Sequence, residues 1–341
     1  VTTFAYEVRW SVADRDANLI GDIAGRDGTI VWDGQARIQR AARGVSFDSS
    51  DWSSVNPLTD WLVPRFVRQD GTSVRLGHFT AADVPRRWRT SSVTYDPQPY
   101  LTDGGALLQN PSPYVLAGSE GEAISDAIAR VVEVAGIYRY NIESAGNVLG
   151  EPVAYPAGTT YTEALTGLAD LAGFLPPYFD RDGVLVLRSV PTGSPLPEVV
   201  YDGASIVRDT RVEDDDLLSA PNTFVVLGAG ASDGPIVAVS ELPPSAPNSV
   251  ANRAGRRITK VVREQGIDTV DQAERLAALV AATAVRQFQR VTFGSLANPV
   301  HDGFTVVQVN GAVLLEHRWD LPLDVGQVMT HEVSTIAEVS S

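Results

Sequence analysis

Phe4-Ala5-Tyr6-Glu7-Val8-Arg9-Trp10-Ser11-Val12 is the stretch that decides the fold class. Phe4, Tyr6, Val8, Trp10 and Val12 alternate with Ala5, Glu7, Arg9 and Ser11, the two-residue period of a strand with one face in a core. Strand signals recur outward from there. Short apolar runs cover 29–32, 61–67, 74–81, 184–190, 223–227, 236–239, 305–309 and 313–319. Asp-Gly pairs punctuate the chain at Asp27-Gly28, Asp33-Gly34, Asp70-Gly71, Asp103-Gly104, Asp182-Gly183, Asp202-Gly203, Asp233-Gly234 and Asp302-Gly303. Both residues tolerate positive φ and so favour tight hairpins. Strands at this spacing predict barrels or sandwiches.

Three helices interrupt the strands. One is predicted over about 121–135, with Ile124, Ile128, Val131 and Val132 on one face. The second starts at Thr160, with Glu163 three residues on as a capping box. Leu165, Leu168, Ala169 and Ala172 form its apolar face, and Gly173 is placed to end it. The third is predicted over about 269–288, with Leu276, Val280 and Ala284 along one side. The expected architecture is therefore a β-rich α+β chain. An N-terminal β-barrel-like domain (1–112) comes first. A small α+β domain (113–196) with two helices and a hairpin follows, then a C-terminal β-barrel-like domain (197–341) with one long helix. Pro191 to Pro197 reads as a linker, and Pro243 to Pro247 as a loop inside the last domain.

Composition narrows the function. The chain has 341 residues and is 44% apolar, enough for real cores. With 27 basic and 42 acidic residues its net charge is −15. Long-range repulsion argues against stable binding to nucleic acid or an anionic membrane, though such a chain can surround a passing polyanion without adhering to it. The absence of cysteine removes disulfides, thiolate metal sites and a Cys nucleophile. Lys260 is the only lysine, so amine chemistry would have to rest on it. No run approaches the roughly 18 apolar residues of a spanning helix, and no signal-peptide core is present at the start. Synthesis in the cytosol is the expectation.

Chemical motifs are few. Gly230-Ala231-Ser232-Asp233-Gly234 matches a nucleophile elbow, but a strand rather than a helix is predicted after it, which makes it a hairpin tip. Asp14-Arg15-Asp16-Ala17-Asn18 begins like a calcium loop, yet Leu19 and Gly25 stand where glycine and glutamate are needed, so a solvated turn is expected, an irregular calcium site being the alternative. Glu213-Asp214-Asp215-Asp216 reads as an exposed acidic loop. His78, His301, His317 and His331 form no zinc signature and read as separate hydrogen-bonded residues. No catalytic residue, cofactor site or metal site is assigned. Arg86, Arg87, Trp88 and Arg89, with Arg256 and Arg257, are the candidate interface residues: Arg and Trp are enriched at protein contacts, and the net charge disfavours nucleic acid.

Several passages together resemble the tail hub family of long-tailed, non-contractile phages, often called minor tail proteins in actinobacteriophages and related to the baseplate hub of contractile tails. They are Trp32-Asp33-Gly34-Gln35-Ala36-Arg37-Ile38, Trp61-Leu62-Val63-Pro64-Arg65-Phe66 and Val74-Arg75-Leu76-Gly77-His78-Phe79-Thr80. Next come Tyr161-Thr162-Glu163-Ala164-Leu165, Leu171-Ala172-Gly173-Phe174 and Tyr178-Phe179-Asp180-Arg181-Asp182-Gly183-Val184-Leu185. Ser219-Ala220-Pro221-Asn222, leading into Val225-Val226-Leu227-Gly228, and the helix over 269–288 complete the set. The helix-to-hairpin passage is the most family-like. The resemblance covers most of the chain through loose motifs and implies a non-enzymatic virion protein at the tail tip.

The resemblance further implies a homotrimer whose paired β domains present a pseudo-sixfold ring to the distal tail protein ring and tail tube. Threefold symmetry would face the tail tip or fibre proteins. A central channel would pass the tape measure protein and then DNA. Some relatives carry a fused peptidoglycan-cleaving domain, and no such extension is read here before Ser341. The alternatives are a distal tail or other tail-tip adaptor, or a tail-associated carbohydrate-binding or cleaving protein. For the last, Trp10, Trp32, Trp52, Trp61, Trp88 and Trp319 would offer sugar-stacking faces, and a cleft with two carboxylates would be required.

Overall fold

The computed structural model describes residues 6–336 except 85, 89–94, 145, 147, 192–194, 216–219, 229–235, 245, 265–269, 271–272, 275, 279, 282–283 and 285–288. Strands dominate. The opening strand, Tyr6–Ala13, pairs antiparallel with Leu19–Ile23 and with Trp61–Arg68, which in turn pairs with Ser73–Arg75. The predicted alternation holds at its start, where Glu7 and Arg9 are exposed. From Trp10 to Ala13 both faces are buried, and Ser11 is satisfied by donating to Asp22 Oδ1 at 2.5 Å.

A ten-stranded sheet joins the two ends of the chain. Val212–Asp215, Gln289–Leu296, Val328–Thr335, Ala312–Pro322, Thr29–Asp33, Arg40–Arg43, Tyr100–Thr102 and Thr80–Asp83 follow one another across it. The strand Ala312–Pro322 is the centre. Its first residues pair with Val306–Val309, which carries Val199–Tyr201 in parallel, and its last residues pair with Thr29–Asp33. Trp319 lies opposite Trp32 in that register, both fully buried, and Phe304 sits edge-on to Trp32 at 4.9 Å. Asp27 and Gly28, both at positive φ (58° and 101°), turn the chain into Thr29–Asp33 as their sequence predicts.

The predicted helices form with small corrections. Ile124–Val134 buries Ile124, Ile128, Val131 and Val132. Tyr161–Ala172 has a complete capping box: Thr160 Oγ1 accepts from the Glu163 amide and Glu163 accepts from the Thr160 amide. Gly173 closes it in the left-handed region at φ 73°. These two helices share a core with the strands Tyr140–Ile142, Leu185–Leu187 and Tyr178–Phe179 and the ribbon of Leu116–Gly118 and Val153–Tyr155. The described residues between 270 and 284 are helical. Their buried stripe is Ala273, Ala277, Ala281 and Ala284, with Leu276 and Val280 half-buried beside it. Small side chains let this helix lie close against its sheet. The single strand expected over 74–81 is instead split, with Leu76 to Phe79 between Ser73–Arg75 and Thr80–Asp83. Gly77 takes φ 153° there, and a Cβ on it would collide with the Phe79 ring.

Candidate functional site

The strands Ile236–Glu241, Thr223–Gly228 and Thr259–Glu264 make a three-stranded sheet with two unlike faces. In its register Val225 lies between Val239 and Val261, and Leu227 between Val237 and Arg263. Directly opposed residues share a face, so these form two rows across it. The reverse face carries Phe224, Val226 and Ala238, packed under the alanine stripe of the helix. The Val225 face lacks such a cover among the described residues: Val237, Val239 and Val261 are 49%, 60% and 44% exposed. A third row, Glu241, Thr223 and Thr259, makes a polar border, where Arg257 Nε donates to Glu241 Oε1 at 2.7 Å. Contiguous exposed apolar surface with a polar rim is the mark of a contact surface.

Five of the six arginine and tryptophan positions singled out from sequence fall in two places. Arg86–Trp88 forms one strand of a two-stranded ribbon, paired with Tyr95–Pro97. Arg89 lies outside the described residues. Arg256 and Arg257 are exposed on the segment leading into Thr259–Glu264, and Arg257 reaches the polar border through Glu241. The face itself escaped sequence reasoning because strands apolar on both sides read as buried.

Other sequence readings resolve as follows. Trp10, Trp32, Trp52 and Trp319 belong to one core and offer no face to a sugar. Two surface concavities, one beside Ile206 and Asp209 and one beside Asp126 and Tyr140, are each lined by one carboxylate, not two. Asp14 spends its carboxylate on the turn, accepting from the Asp16 and Asn18 amides and from the Asn18 side chain. Glu213 to Asp215 of the acidic run lie not in a loop but in the edge strand Val212–Asp215, with Asp214 opposite Arg290, and Asp216 lies outside the described residues. Residues 230–234, the elbow-like motif, lie outside the described residues.

Two of the four histidines depart from the expected arrangement as separate hydrogen-bonded residues. His301, Glu316 and His331 form a buried chain, with exposures of 3%, 0% and 1%. His301 Nδ1 is 2.5 Å from Glu316 Oε2, and His331 Nδ1 is 2.6 Å from Glu316 Oε1. Tyr201 Oη meets His301 Nε2 at 2.5 Å, and Ser295 Oγ meets His331 Nε2 at 2.8 Å. A register shift between Glu316 and Arg318 sets Glu316 opposite Val333, on the face that carries His331, and Phe293 stacks on the His331 ring at 4.5 Å. Burial works to raise the Glu316 carboxyl, but the charge and hydrogen bonds of His301, with those of His331, outweigh it and hold it low. Burial holds His331 below the ordinary histidine range, against its bond to Glu316. His317, by contrast, is half-buried and meets Ser334 Oγ at 2.6 Å, as expected.

The neighbouring residue, Asp302, ties three regions together. Its carboxylate takes an ion pair from fully buried Arg40 and hydrogen bonds from the Arg181 amide, and its carbonyl accepts from Trp319 Nε1 at 3.0 Å. Gly303 follows because the Tyr178 ring occupies the place a Cβ would take.

No protein-family model and no curated protein sequence matches the chain. Solved structures do. A tail protein from Neisseria meningitidis superposes with a TM-score of 0.65 at 15% identity, covering 96% of each chain. The 43 kDa tail protein of prophage MuSo2 from Shewanella oneidensis gives a TM-score of 0.65 at 12% identity, over 97% of this chain and 98% of that one. Prophage tail protein gp18 from Listeria monocytogenes gives 0.56 at 12% identity, over 97% and 95%. The chain therefore has, along almost its whole length, the fold found in these phage tail proteins.

Proposed function

We propose that this chain is a structural, non-enzymatic hub protein of a phage tail, working as a homotrimer at the distal end of a non-contractile tail. The observation that carries the reading is the exposed aliphatic face built on Val225, Val237, Val239 and Val261, a surface suited to burial against another subunit. The shared fold and the sequence resemblance support the tail assignment. In this reading the β-rich units, 1–112 and 197–341, flank the α+β unit 113–196 and meet along the ten-stranded sheet. Three copies face the sixfold distal ring and tube on one side and the threefold tip or fibre proteins on the other. Arg86 to Arg89, with Arg256 and Arg257, belong to contact surfaces. Net negative charge around the central channel lets the tape measure protein and DNA pass without adhesion.

Sedimentation of the purified chain across a concentration series tests this. A species of three chain masses, and threefold density for this chain at the tail tip in particles, is expected. A chain that is monomeric at every concentration and present as a lone subunit in its particle overturns the proposal.

A further inference from the structure

The His301–Glu316–His331 cluster has no part in the assembly reading, and its geometry is that of a ligand set. Two imidazole nitrogens and a carboxylate oxygen, all buried, lie within 4.8 Å of one another. They come from three separate segments: the turn before Val306–Val309, the strand Ala312–Pro322 and the strand Val328–Thr335.

The surrounding hydrogen bonds orient both rings. Each histidine turns Nδ1 toward the carboxylate and Nε2 toward a hydroxyl, Tyr201 or Ser295. Ser295 has one hydroxyl hydrogen, and the Leu296 carbonyl lies 2.8 Å from its Oγ. When Ser295 donates there, it accepts from His331 Nε2–H, and the 2.6 Å contact from Nδ1 to Glu316 Oε1 holds a proton that a metal ion would displace. Asn298 Nδ2 reaches Tyr201 Oη at 3.4 Å, so the second hydroxyl is held by a partner of its own. An outer hydrogen bond at one ring nitrogen is how metal-ligating histidines are commonly oriented, and here the other nitrogen of each ring faces the shared Glu316 carboxylate. Metal binding needs both imidazoles neutral, so a divalent cation would displace protons from the cluster and take over the balancing of its buried carboxylate.

We propose that His301 Nδ1, His331 Nδ1 and the Glu316 carboxylate bind a first-row divalent transition ion of the zinc type. Mixed nitrogen and oxygen donors of this kind suit zinc, cobalt or nickel over calcium or magnesium. Metal–nitrogen bonds of about 2.0–2.1 Å place tetrahedral ligand atoms about 3.3 Å apart. The present 2.5 and 2.6 Å nitrogen–oxygen separations therefore have to open by under about 1 Å, while the ligand atoms, which span up to 4.8 Å, have to converge around the ion. Bound there, the ion pins both central strands to the turn that carries Asp302. The proposal does not rest on the tail reading.

The test uses the full chain, purified, chelator-treated and dialysed, then titrated with Co²⁺ and with Zn²⁺. Expected are one equivalent of Co²⁺ with visible absorption of a low-coordinate nitrogen–oxygen site, its displacement by Zn²⁺, and a rise in melting temperature of several degrees. His331→Gln and His301→Gln should each abolish the one-equivalent signal, whereas His78→Gln keeps it. A folded wild-type chain that takes up neither ion, or whose melting temperature is unmoved by them, overturns the proposal. So does a signal that survives both substitutions at the site. Should either variant fail to fold, the wild-type titration alone decides.

Discussion

Arg40 and Asp302, 262 residues apart in the chain, form an ion pair in which the arginine side chain is wholly buried. The guanidinium also donates to the Leu76 carbonyl at 3.3 Å and lies over the Trp319 ring at 5.5 Å, while the Arg40 amide donates to Asp103. Removing one partner of such a pair leaves a buried charge uncompensated. Arg40→Ala is expected to lower unfolding free energy by about 3–5 kcal/mol. Arg40→Lys should recover only part, because one ammonium cannot reach both acceptors as a planar fork does. Denaturant melts of the three proteins check this, and equal stability of wild type and alanine variant would refute it.

His78 gives a pH signature. Burial, reinforced by Arg75 and Arg139, pushes its imidazole down to about 4, against a bond to the Arg181 carbonyl and the charge of Asp182. A depressed folded pKa means the stabilisation is present above the unfolded value near 6.5 and is lost as pH falls through about 4. Full titration corresponds to on the order of 3 kcal/mol. Asp103 runs oppositely: burial pushes it up to about 6, so its contribution is present below the ordinary aspartate range and fades as pH rises through 6. The difference between wild type and His78→Gln isolates the histidine. The variant should lose less stability between pH 6.5 and 4, and parallel pH curves would exclude this account.

Val239→Glu sets a charge in the exposed aliphatic face while touching no core. Melting temperature should be unchanged, since surface substitutions of this kind stay within about 0.5 kcal/mol. Self-association should weaken by about 2 kcal/mol, roughly thirtyfold. Light scattering and thermal unfolding on the same samples separate the two effects. An assembly that tolerates the charge places the contact elsewhere.

Ala277→Leu probes the alanine stripe. Ala277 is fully buried with Val226 and Ala238 beside it, and added methylenes there push the helix off its sheet. A loss of about 1–3 kcal/mol is expected, with Glu274→Ala on the exposed side of the same helix as a neutral control. A leucine variant as stable as wild type would mean that the stripe has room to spare.

Local signals were legible in the sequence, and distant pairings were not. Thr160, Glu163 and Gly173 announce the ends of one helix because capping is decided within four residues. The positive-φ turn at Asp27-Gly28 is equally local. Position 77 misleads because a run of strand formers hides the break imposed by one glycine. His301, Glu316 and His331 stand 15 residues apart in two steps, a spacing set by strand pairing and matching no motif. Leu276 reads as helix core because it is the larger residue, whereas proximity to the sheet selects Ala273 and Ala277.

The sheet that seats Trp32 opposite Trp319 also sets a timetable for synthesis. At about 5–20 residues per second, Trp32 leaves the ribosome roughly 15–60 s before its partner strand exists. Throughout that interval Thr29–Asp33 has Arg40–Arg43 on one side and an open hydrogen-bonding edge on the other. The ten-stranded sheet is complete only once Ala312–Pro322 and Val328–Thr335 have been made.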